Sequence, residues 1–277
     1  MEPLQFDPIG LVTLASDFGT RDGYVGAMKG VMLSVDRRLS MYDVGHDVPA
    51  QSVIAAAMML RTSCPYFPAG TVHLAVIDPG VGSDREEIVA VAGGQAFVGP
   101  DNGIFSLAWQ AMGGLDSCRT IGEHRYLLGN RSATFHGRDV FSPTAAAVAA
   151  GLLDPFAVGD EIDPIRMVLP LVMSTAGRAR GQVVYCDRFG NAVTNIERPL
   201  VNEVGPPAEV RLGSGRGVTL GKTYSDVESG EPVALVGSSG RLEVAVRDGS
   251  AAAVLGLQPG DHIDLVGLVP TIGRPGS

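Results

Sequence analysis

Between Leu11 and Leu153 short apolar runs alternate with stretches of helical apolar spacing, and several of the runs end in a polar or glycine-rich loop. That alternation constrains the fold most. Leu11 to Ala15 reads as a strand that ends at Ser16-Asp17-Phe18-Gly19-Thr20. Tyr24 to Val35 follows, with Val25, Met28, Val31 and Met32 on one helical face. Leu39 to Val44 and Val72 to Ile77 repeat the strand pattern, with an alanine- and methionine-rich helix over Gln51 to Cys64 between them. Glu87 to Val91 and Gln95 to Val98 read as a hairpin about Gly93-Gly94. Helices are expected near Ile104 to Met112 and over Ser142 to Gly151. Alternating β and α elements specify a largely parallel sheet covered by helices.

The texture changes after Asp163-Pro164. Gly181 to Asp187, Ala208 to Leu212, Pro232 to Val236, Leu242 to Val246 and His262 to Val266 are short β-rich runs punctuated by glycine. They predict a smaller β-barrel or sandwich domain. Ile165 to Arg180, with Pro170 and Ser174-Thr175-Ala176-Gly177, reads as an exposed linker. The expected division is therefore an N-terminal α/β domain over 1–174 and a C-terminal β domain over 175–277, with a frayed tail after Ile272.

A chain of 277 residues with 45% hydrophobic and 18% charged residues can bury such cores, and a net charge of -9 opposes an extended nucleic-acid surface. Cys64, Cys118 and Cys186 lack C-x-x-C spacing, so neither a disulfide framework nor a zinc knuckle is indicated. With an N-terminus carrying Glu2 and Asp7 and an apolar run over Ala145 to Leu153 too short to cross a bilayer, they suit a cytoplasmic protein with no membrane partner.

Asp17, Asp78 and Asn102 all fall where a strand gives way to a loop, the place where open α/β sheets collect ligands. The turn Pro79-Gly80-Val81-Gly82 is tight enough to return Arg85 toward Asp78. His136 lies in Thr134-Phe135-His136-Gly137-Arg138-Asp139. A carboxylate, a guanidinium and an imidazole can hold and activate one water without a metal or a covalent nucleophile. The simpler readings are a cap for Asp17, a surface ion pair for Arg85 and a structural histidine for His136. His46, His73, His124 and His262 show no metal-ligand spacing. Asp17-Phe18-Gly19 lacks the remaining kinase segments, Gly80 and Gly82 lack a third glycine for a dinucleotide loop, and Gly237-Ser238-Ser239-Gly240 is not a nucleophile elbow. Asp187-Arg188-Phe189-Gly190-Asn191 offers an amide for a purine edge and a ring to stack on it, or simply a hairpin turn.

Five ordered segments, Ser16 to Thr20, Ile77 to Gly82, Pro100 to Gly103, Thr134 to Asp139 and Phe189 to Ile196, together resemble the S-adenosyl-L-methionine (SAM) hydroxide adenosyltransferase family, the SAM hydrolases related to fluorinase and chlorinase. The likeness runs from about Leu11 to Val266. It implies hydrolysis of SAM to adenosine and L-methionine with no cofactor and no metal. Asp78, Arg85 and His136 would handle the water near C5′ of the ribose, by free hydroxide or by concerted base catalysis. It further implies that Asp17 holds the ribose hydroxyls, that Asn191 and backbone near Ala251 read adenine with Phe189 stacked on it, and that Asp187 and Ser238 hold the methionine end. A homotrimer with sites at subunit interfaces is the implied assembly. Halogenating relatives carry tyrosine and proline in place of the Ile77-Asp78-Pro79 run, and a carboxylate at Asp78 would repel a halide. Gln51 stands where the fluorinase has an aromatic residue, and Ser238 to Arg241 matches the family segment only in part. Halogenation of SAM, and nucleoside or SAM binding without turnover, are the alternatives.

Overall fold

The computed structural model describes residues 5–205 and 208–267. They form two compact units, divided between Met167 and Val168. The break falls seven residues before the 174/175 boundary expected from sequence. The sequence-expected tail after Ile272 lies outside the described residues.

The first unit is built on six strands: β1 (Leu11–Ser16), β2 (Ser40–Gly45), β3 (Val72–Val76), β4 (Glu87–Ala92), β5 (Gln95–Pro100) and β6 (Ser117–Thr120). Their order is β2-β1-β3-β5-β4-β6. β2, β1, β3 and β5 pair in parallel, while β4 is antiparallel to both β5 and β6. Five strands thus share one direction and only β4 opposes them. All of β3 and β5 is buried, as strands covered on both faces must be.

The pleat sorts the two faces. Val12 and Leu14 of β1, Leu74 and Val76 of β3 and Val98 of β5 join a core with Met28 and Met32 of α1 (Tyr24–Val35) and Ala145 and Val148 of α4 (Ser142–Ala149). Of the alternate residues, His73 packs on Phe97, whose ring meets Phe105 and Trp109 of α3 (Ser106–Ala111), which packs against α2 (Val53–Ser63). His73 is fully buried there, its Nδ1 2.6 Å from Thr13 Oγ1 and its Nε2 2.6 Å from Gln95 Oε1. The helices fall within a few residues of their expected bounds. Ser52 caps α2 by accepting from the Ala55 N–H. β6 carries a buried Cys118 among half-buried neighbours, too weak a pattern to have been read from sequence.

The second unit is antiparallel throughout its named strands. β7 (Met173–Thr175) and β8 (Arg178–Cys186) open it, β9 (Ala192–Glu197) follows, and β10 (Ala208–Leu212), β11 (Gly217–Thr219), β12 (Pro232–Val236), β13 (Arg241–Val246) and β14 (His262–Gly267) complete it. The order is β11-β10-β14-β8-β9-β13-β12, with β7 on β8. A bridge from Leu220 to Ala234 links the β11 side to β12, so the sheet is a nearly closed barrel. The segment read as a linker contains a strand, because Met173 to Thr175 pairs with Arg178 to Arg180 around the Gly177 turn. Two short helices were not anticipated, α5 (Arg198–Val204) and α6 (Ala251–Leu255).

Candidate active site

At the carboxyl ends of β1 and β3 the first unit opens a cavity of about 320 Å³, lined in part by Asp17, Gln51, Val76, Asp78, Phe135 and His136. Asp78 follows Ile77 at the end of β3, whose carbonyl accepts from Asn102 Nδ2 at 2.9 Å. Asn102 Oδ1 in turn accepts from the Ile104 N–H. Asn102 therefore shapes the strand end and spends its side chain on backbone.

The turn after Asp78 is closed by the Val81 and Ser83 N–H groups, which donate to the Asp78 and Gly80 carbonyls. Gly82 has φ +79°, and a Cβ there would stand 2.8 Å from the Ala133 carbonyl oxygen. Only glycine lets this loop lie against the strand of chain that leads to His136. The turn returns Arg85 to Asp78: Nε donates to Oδ1 at 2.9 Å, and Nη2 donates to Oδ2 at 2.5 Å. Asp78 is 5% exposed and Arg85 9%, so this is a nearly buried, two-pronged pair, not a surface one. The Arg85 guanidinium also lies 5.2 Å from the centre of the Phe141 ring.

His136 stands at the start of a π-turn, Gly137–Phe141, that runs into α4. Asp139 anchors it. Fully buried, its carboxylate accepts from Arg138 Nε at 2.5 Å and from the Ser132 N–H at 2.7 Å. Burial alone would raise the Asp139 carboxyl, but the hydrogen bonds from Arg138 and Ser132 outweigh it and hold the group below the usual range. The Arg138 guanidinium covers the Phe135 ring at 5.0 Å. The His136 ring reaches Arg85, with Nδ1 3.0 Å from Arg85 Nη2. The same Nδ1 lies 2.6 Å from Oε1 of Glu87, a residue that sequence reasoning treated only as the first of a strand. Its signal was available: a second carboxylate two residues after Arg85, at the head of a strand leading out of the Asp78 turn.

Asp17 follows β1. Its Oδ2 accepts from the Gln51 N–H at 2.8 Å, and Gln51 adopts φ +63°, a strained setting for a residue with a side chain. Ser16 Oγ meets buried His46 Nδ1 at 2.7 Å and the Gly19 N–H donates to the His46 carbonyl, which fixes the loop carrying Asp17. Phe18, Tyr24 and Phe135 form an aromatic wall beside it, ring centres 5.2 to 5.9 Å apart.

The remaining candidates belong to the second unit. Asp187 closes the β8–β9 turn: Oδ1 accepts from the Phe189 and Asn191 N–H groups at 2.9 Å, and Oδ2 from Asn191 Nδ2 at 3.0 Å. Phe189 projects at 75% exposure with no ring partner among the described residues. Gly190 has φ +81° and its carbonyl accepts from the Ala252 N–H, bringing buried Ala251 and α6 to this turn. A Cβ on Gly190 would collide with Ser250. Phe189 and Asn191 line a cavity of about 560 Å³ with Tyr224 and Arg247. Ser238 sits exposed on the β12–β13 turn and makes no hydrogen bond to Asp187 or Asn191 among the described residues. The structure therefore gathers Asp17, Asp78, Arg85 and His136 in one unit and Asp187, Phe189, Asn191 and Ala251 in the other.

Among the described residues no helix is long and apolar enough to cross a membrane, and no three His, Cys, Asp or Glu side chains are grouped to hold a metal ion.

Comparison with known proteins bears on both units. Residues 12–159 match the SAM hydroxide adenosyltransferase N-terminal domain, and residues 181–264 match its C-terminal domain. The (R)-S-adenosyl-L-methionine hydrolase of Thermus thermophilus is 40% identical over 269 residues, covering 92% of this chain and 99% of that protein. A fluorinase of an Actinoplanes species is more distant, 25% identical over 88% of this chain and 92% of its own. A crystal structure of an uncharacterized conserved protein from Thermotoga maritima superposes with a TM-score of 0.84 at 33% identity, covering 92% of this chain and 99% of that one.

Proposed function

The chain belongs to the SAM hydroxide adenosyltransferase family, and from that premise we propose that it hydrolyses SAM to adenosine and L-methionine. The observation that carries the reading is the Asp78–Arg85–His136 cluster at the wall of the cavity that Asp17 also lines. Water held by this cluster attacks C5′ in line with the C5′–S bond. As the new C–O bond forms, the C–S pair leaves with sulfur, the sulfonium becomes the neutral thioether of methionine, and the water proton passes to the cluster. Sulfonium is already a good leaving group, so alignment and proton removal are the tasks left to the protein.

Charge supports water over halide. Asp78, Glu87 and Asp17 are formally three negative charges against the one positive charge of Arg85, a field that suits a cationic substrate and opposes an incoming anion. In this reading Asp17 holds the ribose hydroxyls. The turn of Asp187, Phe189 and Asn191, with backbone near Ala251, holds adenine and part of the methionine, and Ser238 joins the methionine end. No metal or organic cofactor takes part. The enzyme works as a cytoplasmic homotrimer with its sites at subunit interfaces. A monomeric mass by light scattering would remove that assembly from the account, and recovery in a membrane fraction would remove the location.

The test is direct. Purified protein incubated with SAM is expected to give adenosine and methionine in equal amounts by chromatography, whereas His136→Ala is not. Formation of 5′-halo-5′-deoxyadenosine in chloride or fluoride would favour halogenation, and SAM binding by calorimetry without product would favour a binding protein.

A further inference from the structure

We propose that Glu87 is a positioning residue for the reaction: it takes the Nδ1 proton of His136 in a hydrogen bond and so leaves the Nε2 lone pair to accept the proton of water. This rests on the reading of His136 as the group that takes that proton.

The argument is a competition for one nitrogen. Nδ1 of His136 lies 2.6 Å from the Glu87 carboxylate and 3.0 Å from the Arg85 guanidinium. A bare Nδ1 would accept from Arg85 but would turn its lone pair on an anionic oxygen at contact distance. A protonated Nδ1 donates to that oxygen in a charge-assisted bond, which is both shorter and stronger. Arg85 keeps its pairing without the imidazole, because Nε and one N–H of Nη2 are held by Asp78 while Nη1 lies 3.6 Å from the same Glu87 oxygen. The shorter contact and the sign of the charge both assign the proton to Nδ1. Neutral imidazole then has its lone pair on Nε2, which meets no partner among the described residues, while the residue lines the cavity.

Glu87 is well placed to hold this bond. It begins β4, the strand pinned between β5 and β6, its backbone opposite Pro100 and its carbonyl accepting from the Ile121 N–H at 2.7 Å. Its side chain is 20% exposed and that of His136 19%, so the pair sits at the edge of solvent. As His136 gains a proton, the carboxylate also stabilises the imidazolium. Remove the carboxylate and Arg85 Nη2 is left as the polar neighbour of Nδ1 among the described residues. The favoured tautomer then inverts and presents an N–H, which cannot take a proton, to the cavity.

The tautomer is readable without turnover. In full-length protein labelled with ¹⁵N-histidine and held in alkaline buffer, His136, assigned by its loss in His136→Asn, is expected to show a protonated Nδ1 and a lone-pair Nε2. Glu87→Leu is expected to exchange the two signals, to lower kcat on the order of 10²-fold, as loss of a general base does, and to leave KM for SAM nearly unchanged. Glu87→Gln, whose amide oxygen can still accept from Nδ1, is expected to keep the tautomer and much of the rate. A wild-type His136 protonated at Nε2 or at both nitrogens overturns the proposal, even if the Leu variant does not fold. So does Glu87→Leu with an unchanged tautomer. Absence of SAM turnover in the wild type would strike the proposed function instead and leave the tautomer assignment standing.

Discussion

At the scale of single residues, the Asp78–Arg85 pair decides how the site can be probed. Both partners are almost fully buried, so removing one leaves an uncompensated charge in a poorly solvated place. Arg85→Ala is expected to cost about 3–5 kcal/mol of stability by urea unfolding, and Asp78→Ala/Arg85→Ala together less than Arg85→Ala alone. If the double variant were the weaker protein, the charge argument would be wrong. Loss of SAM turnover in the stable double variant, with binding retained, separates the role in catalysis from the role in folding. His73 gives a second test, of pH. Burial lowers its imidazole to about 4, below an ordinary value near 6.5. Between those two values the unfolded chain takes up a proton that the native protein refuses. Stability therefore falls as pH drops from about 6.5 to about 4, by up to about 3 kcal/mol from this group. A His73 ring that titrates near 6.5 in the folded protein, followed by NMR, would contradict this.

At the scale of elements, what was legible in the sequence follows from how strongly each pattern is imposed. β1 and β3 are buried on both faces, so they had to be mostly apolar runs, interrupted only by Thr13, Ser16 and His73, and could be read directly. The turn of Gly80 and Gly82 announced that Arg85 would come back to Asp78. The π-turn at Gly137–Phe141 gave no such signal, because it depends on Asp139 accepting from Ser132, a contact made only once the loop has folded over it. Glu87 had only a local hint, its place two residues after Arg85; the pairing itself went unread because its partner His136 is 49 residues away. β7, paired with β8 and fully exposed, looked like linker because no side chain of it is buried. The anchoring of the π-turn is testable. Asp139→Ala strands the Ser132 N–H and frees Arg138, and is expected to destabilise by about 1–3 kcal/mol in urea and to lower kcat by loosening His136. Unchanged kcat in a destabilised variant would show that the π-turn does not hold His136.

At the scale of the whole molecule, one chain carries two folds that answer different chemical demands. The α/β unit gathers Asp78, Arg85 and His136 at the strand ends of a mostly parallel sheet, and the barrel unit supplies a turn with an exposed ring and a buried amide. The division itself was legible, since the change from helical periodicity to short glycine-bounded strands is a change in what each core must exclude. Its position was not, because the residues that separate the units are exposed and unpatterned. The central claim is that water, activated by the Asp78–Arg85–His136 cluster, is the nucleophile at C5′. Turnover of SAM in ¹⁸O-enriched water, followed by mass spectrometry of the nucleoside, tests it most directly. The account predicts adenosine carrying one ¹⁸O on C5′ and unlabelled methionine. Unlabelled adenosine, or a 5′-halogenated nucleoside in its place, would contradict it.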